Sequence, residues 1–96
     1  MVTYHVPARP LDSILKESGV NRVDVIKIDV EGAELLVLKG AQETLARYHP
    51  TLLIEIVDRQ LRQMGTSAAE VTQFLTARGY RESGRFGENI ELVAAR

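Results

Sequence analysis

A chain of 96 residues holds at most one domain with a thin core, and its 45% hydrophobic and 26% charged composition is that of a globular protein, with no run near the roughly 20 apolar residues that cross a bilayer. Twelve basic against thirteen acidic side chains leave a formal charge of -1 without any Lys/Arg cluster, which argues against nucleic acid as a partner. The absence of cysteine removes disulfides and thiolate metal ligands and fits a reducing compartment, and the opening Met-Val-Thr-Tyr-His-Val is no signal peptide, so a cytoplasmic location is expected.

Taken in chain order, Val2 to Val6 suggests a short strand, and Pro10 opens a helix in which Leu11, Ile14 and Leu15 form an i, i+3, i+4 stripe closed by Gly19. Val25 to Val30 is β-branched and nearly continuous in apolar character, which predicts a central parallel strand covered on both faces. From Ala33 the period becomes helical, with Leu38, Ala41, Leu45 and Tyr48 on one face until Pro50. Gly40 costs about 1 kcal/mol relative to alanine in a helix interior, so a break or bend is expected there. Thr51 to Val57 reads as a second strand, completing a right-handed βαβ unit with Val25 to Val30. Ser67-Ala-Ala-Glu70 is a capping box ahead of the stripe Val71, Phe74 and Leu75, and Gly79 ends that helix. Two late segments, Tyr80 to Arg85 and Asn89 to Ala95, suggest an antiparallel hairpin.

The stretch from Val25 to Gly40 carries the chemistry, because Asp29, Glu31 and Glu34 crowd the point where strand gives way to helix. Ligands of open α/β sheets bind beyond the carboxyl ends of the strands, so acids placed there suit chemistry better than solubility alone. Asp29 and Glu31 are the candidate catalytic residues. The competing structural role is to accept backbone amides of the turn near Gly32, and for Glu31 and Glu34 that role is favoured. Lys27 shares a strand face with Asp29, and its expected partner is Glu55 on the neighbouring strand, as a structural ion pair. Clustered carboxylates at 29, 31 and 55 also suit a divalent cation, the less favoured reading, and no metal is assigned. His5 and His49 stand alone, without ligand spacing, and are expected on the surface.

These residues resemble those of the FkbM family of S-adenosylmethionine-dependent methyltransferases. The likeness rests on Leu11-Asp12, on Asp24-Val-Ile-Lys-Ile-Asp-Val-Glu-Gly-Ala-Glu34, on Leu38-Lys-Gly-Ala41 with Leu45, and on Pro50 followed by Leu53-Ile-Glu55. It covers most of Leu11 to Tyr80. Pro10 stands where that family usually has threonine. The resemblance implies an α/β fold, the C-terminal half of a Rossmann-like class I methyltransferase sheet: a βαβ unit, a helix and an antiparallel C-terminal hairpin. On that template the chain supplies strands four to seven, with the seventh antiparallel between the fifth and sixth.

The first three strands of the template, which carry the glycine-rich turn and the ribose-binding acid, have no counterpart, and no G-x-G occurs in the sequence. The whole of 1–96 is therefore expected to be a single partial methyltransferase domain lacking its cofactor-binding half, inactive alone and unable to hold S-adenosylmethionine. Completed, it is expected to methylate an oxygen of a small molecule or glycan, and the resemblance places Asp29 at the active-site mouth as base. The rival is a non-catalytic remnant or interaction module pairing through its exposed first strand, by self-association or with a missing N-terminal half. A receiver-like phosphoacceptor fold lacks its acidic pair and later hydroxyl and lysine here, and a phosphodiesterase barrel needs about 250 residues.

Overall fold

The computed structural model describes residues 10–94. The expected strand at Val2 to Val6 and His5 lie outside the described residues, as does Ala95 at the end of the hairpin. Helix α1 (Leu11–Ser18) follows Pro10 and ends on Gly19 at φ 68, the left-handed C-terminal cap that glycine adopts without Cβ strain. Strand β1 (Val25–Ile28) comes next, shorter than its apolar run because Asp29 and Val30 already belong to a turn. The helical stretch is indeed broken at Gly40, into α2 (Glu34–Lys39) and α3 (Gln42–Tyr48). A Cβ on Gly40 would lie 3.2 Å from Cα of Pro10, so this glycine lets the start of α1 sit against the α2–α3 junction.

Strand β2 (Thr51–Glu55) follows, then α4 (Asp58–Gln63), which the sequence pattern did not suggest. Helix α5 (Ala68–Thr76) starts at Ser67, whose hydroxyl oxygen accepts the Glu70 amide at 3.2 Å. The reciprocal bond from the Glu70 carboxylate is not made among the described residues, so half of the capping box forms. Strands β3 (Tyr80–Phe86) and β4 (Asn89–Ala94) make the antiparallel hairpin.

The four strands form one mixed sheet in the order β1-β2-β4-β3. β1 and β2 are parallel, and β4 runs antiparallel to both β2 and β3. The last strand therefore lies between β2 and β3, the arrangement that the resemblance implies for the second half of a methyltransferase sheet. Alternation sends Ile26, Ile28, Leu52, Ile54, Ile90 and Leu92 into a single core shared with the helices. The opposite alternation leaves Lys27 exposed and Val25 and Leu53 half-buried. Within the described sheet β1 is thus an edge strand, buried on one face, and not the doubly covered central strand its composition suggests. β-branching and hydrophobicity report that a strand is partly buried; they do not report how many faces or neighbours it has.

Two long-range polar links fix the helices and the hairpin. Asp12 accepts hydrogen bonds from the Glu43 amide at 3.0 Å, the Thr44 amide at 2.9 Å and the Thr44 hydroxyl at 2.6 Å. A side chain of α1 thereby caps the start of α3. The buried hydroxyl of Tyr80 donates to the Pro50 carbonyl at 2.7 Å, tying the start of β3 to the entrance of β2. Among the described residues no helix is long and apolar enough to cross a membrane.

Candidate functional site

The carboxyl end of β1 runs into a tight turn, Asp29 to Gly32, whose backbone is left-handed at Glu31 (φ 49) and Gly32 (φ 106). The turn closes through the Ala33 amide on the Val30 carbonyl at 3.2 Å. Glu34, at the head of α2 and only 1% exposed, bridges it from inside. Its Oε2 accepts the Val30 amide at 3.0 Å and its Oε1 the Gly32 amide at 2.9 Å. A buried carboxylate is tolerated here because both oxygens meet N–H donors. α4 closes the other side, since a Cβ on Gly32 would come within 2.5 Å of the Gln60 carbonyl oxygen. The turn is built from inside by Glu34 and roofed by α4.

This frame leaves Asp29 and Glu31 exposed. The parallel register pairs Ile28 with Ile54, so Asp29 stands level with Glu55 one position further on. Glu55 in turn pairs with Asn89, which brings the hairpin turn alongside, and the Ile56 amide donates to the Glu88 carbonyl at 2.9 Å. The Glu55 carboxyl is held above the ordinary carboxylate value, first by the charge of Asp29, then by partial desolvation, then by Glu88, Glu34 and Glu31. An acidic crest thus spans the carboxyl ends of β1 and β2. Among the described residues no three of its carboxylates converge closely enough to hold a metal ion.

The expected Lys27–Glu55 ion pair does not form. Register places Lys27 opposite Leu53, with Glu55 two positions further along, and the salt bridges among the described residues are Arg22–Asp24, Arg62–Asp58 and Arg85–Glu82. Lys27 is exposed on an edge strand and needs no partner for burial. Glu34 does accept the amides of the turn, as expected, whereas the Glu31 side chain makes no hydrogen bond among the described residues. Glu88 was not singled out in the sequence. Only the pairing of β4 with β2 brings it to the crest, and no local signal carries that register.

A depression of about 230 Å³ lies between α1 and α3 and is lined by Asp12, Lys16, Arg47 and Tyr48 among others. It opens beside Val20 and Asn21, at the amino ends of the strands, away from the end where open α/β sheets bind ligands. Asp12 is already occupied there by Glu43 and Thr44.

The model of the "Methyltransferase FkbM domain" matches residues 1–82. The chain belongs to the FkbM methyltransferase family. It is similar to the "AMB antimetabolite synthetase AmbE" of Pseudomonas aeruginosa, 30% identical over 77 residues that make up 80% of this chain and 4% of that protein. It is also similar to the "Methyltransferase sdnD" of Sordaria araneosa, 42% identical over 50 residues, 44% of this chain and 19% of that protein. The chain therefore spans a small part of each of these relatives. No solved structure matches it.

Membership of the FkbM family implies dependence on S-adenosylmethionine for the family in general. The one tight glycine turn at the strand ends has its Val30 and Gly32 amides taken by Glu34, and the Gln60 carbonyl fills the space over Gly32. Of the acids on this turn, Asp29 and Glu31 are exposed and Glu34 is buried.

Proposed function

We propose that this FkbM chain forms the acceptor-side part of an S-adenosylmethionine-dependent O-methyltransferase acting on a hydroxyl of a small molecule or glycan, in the cytoplasm. The observation that carries the reading is Asp29, exposed at the carboxyl end of β1 and facing a second carboxyl, Glu55, whose proton affinity it raises. A hydroxyl seated on the crest gives its proton to the Asp29 carboxylate as its oxygen becomes the nucleophile. Glu31, on the same turn, adds a second exposed carboxylate beside Asp29. Neither role needs the cofactor to be held by these residues, and titration calorimetry of the isolated chain with S-adenosylmethionine is expected to show no saturable binding in the micromolar range.

The direct test grafts residues 1–82, the segment that matches the family, into Methyltransferase sdnD in place of that protein's corresponding segment. The folded chimaera is expected to keep the relative's methyl transfer, and Asp29→Asn within it to lose about 10²- to 10⁴-fold in rate, the usual worth of a general base. Unchanged turnover in the Asp29→Asn chimaera would overturn the assignment of the base. A second reading, a non-catalytic interaction module, is favoured by the position of β1 at the edge of the described sheet, where it can accept a strand from a second copy or from another part of the enzyme.

A further inference from the structure

The carboxylate of Glu34 differs from every other acid near the crest. It is almost fully buried, it does not face the acceptor side, and both of its oxygens are used on one short loop. The two amides it holds belong to Val30 and Gly32, which flank the outermost acid, Glu31, and follow directly on Asp29. The loop holds Glu31 in left-handed backbone next to Gly32, and left-handed backbone at a non-glycine residue persists only where surrounding contacts impose it. We infer that Glu34 is the positioning residue of the acidic crest: by spanning the Val30 and Gly32 amides, its carboxylate fixes the turn that sets Asp29 level with Glu55.

The geometry gives this role to a glutamate specifically. An aspartate keeps the charge but is one methylene shorter and cannot reach both amides from the same backbone position. A glutamine keeps the length but presents one acceptor oxygen and one NH2 group, so one of the two amides loses its acceptor. Asp29 is reached through the backbone alone, since Glu34 makes no hydrogen bond to its side chain. The charges that act on Glu55 are those of Asp29, the strongest, then Glu88 from the hairpin, Glu34 from α2 and Glu31 from the turn. The Glu55 carboxyl is therefore a local reporter of where Asp29 sits. The inference rests on the proposed function only for the chemical use of Asp29; the clamp itself is read without any methyl transfer.

The experiment follows the side-chain carboxyl carbons of Asp29, Glu34 and Glu55 by NMR through a pH titration of the full chain, in the wild type, Glu34→Asp and Glu34→Gln. Glu34→Asp is expected to bring the Glu55 midpoint down toward the ordinary carboxylate value although the charge at position 34 is kept. In an Asp29→Asn background the same change is expected to move Glu55 much less, leaving only the weaker direct effect of the Glu34 charge, because most of it passes through Asp29. A helix cap with no positioning role would lower thermal stability in Glu34→Asp and leave the Glu55 midpoint in place, and that result would overturn the inference. Should the variants fail to fold, the wild type still decides. The Val30 and Gly32 amide protons are expected to shift with one shared midpoint, that of the Glu34 carboxyl, and separate midpoints would show that no single group clamps them. Loss of the clamp in these spectra beside normal dependence on Asp29 in the chimaera would remove the positioning role alone. The opposite pattern would remove the base and leave the clamp.

Discussion

Gly32 and Gly65 both hold positive φ, +106 and +81, yet a Cβ at Gly32 would sit 2.5 Å from the Gln60 carbonyl oxygen and one at Gly65 would meet nothing within 4 Å. Gly65→Ala therefore measures backbone strain alone, about 1 to 3 kcal/mol. Gly32→Ala adds a clash with main chain that no rotamer relieves, and its loss in a denaturant titration is expected to exceed that of Gly65→Ala by at least about 1 kcal/mol. Equal losses would show that α4 yields. The glycine after Asp-Val-Glu is thus explained by one close approach. Glu55 makes a second prediction at this scale. Its proton affinity is raised in the folded state, chiefly by Asp29, so the native chain binds more protons than the unfolded one between the two titrations. Stability from this group is fully present below the unfolded value and is lost as pH rises through the raised folded value. Glu55→Gln is expected to melt higher than wild type at neutral pH, with the difference vanishing in acid; a lower melting temperature at pH 7 would mean that the Glu55 charge has an unseen partner. Asp58, held below the ordinary value first by the Ala68 amide and then by Arg62, titrates with the opposite sign and at lower pH, so the two effects separate in a pH series.

Among the elements, those with a strong period or a glycine at their end were legible in the sequence, and α4 was not. Asp58–Gln63 contains one buried apolar side chain, Leu61, and a single leucine among polar neighbours produces no stripe to read. What identifies that helix is tertiary: it roofs the Gly32 turn, and its first residue, Asp58, accepts the Ala68 amide at 2.8 Å, joining it to α5. The break at Gly40 was legible because glycine is costly inside a helix, but its reason, the approach of Pro10, belongs to the packing of α1. Asp12 was visible only as half of a Leu-Asp resemblance, and its use emerges from three hydrogen bonds to residues more than thirty positions away. Asp12→Ala removes a cap and charge-assisted bonds together, and is expected to cost about 1.5 to 3 kcal/mol. Breaking the exposed Arg22–Asp24 pair by Arg22→Ala is expected to cost less, because solvent screens the pair. Chemical denaturation of the two variants side by side checks both, and a cost for Asp12→Ala no larger than for Arg22→Ala would mean that α1 is held to α3 by its leucines alone.

For the molecule as a whole, the order β1-β2-β4-β3 was available only through the family resemblance, since strand periodicity says nothing about which strand inserts between which. The candidate site was half legible for the same reason. Asp29, Glu31 and Glu34 are neighbours in sequence, whereas Glu55 and Glu88 reach them through pairing, and the same register withdraws Lys27 from Glu55. One consequence of this topology can be measured without substrate. β1 pairs only with β2 among the described strands, and it is short and mostly apolar, with Lys27 as its one charged side chain. Natural edge strands resist association through charge, proline or a bulge, and a single lysine that points off the sheet face guards the outer backbone groups weakly. The isolated chain is therefore expected to associate, and sedimentation velocity across a concentration series should show the mass-average species growing with concentration. A second charge at the edge, Val25→Lys, is expected to shift that curve toward monomer, because Val25 is half-buried on the face opposite the core and its replacement leaves the core side chains in place. A single monomeric species with a cooperative melt at every concentration would show that the edge is protected, and would withdraw β1 as the surface that recruits a partner.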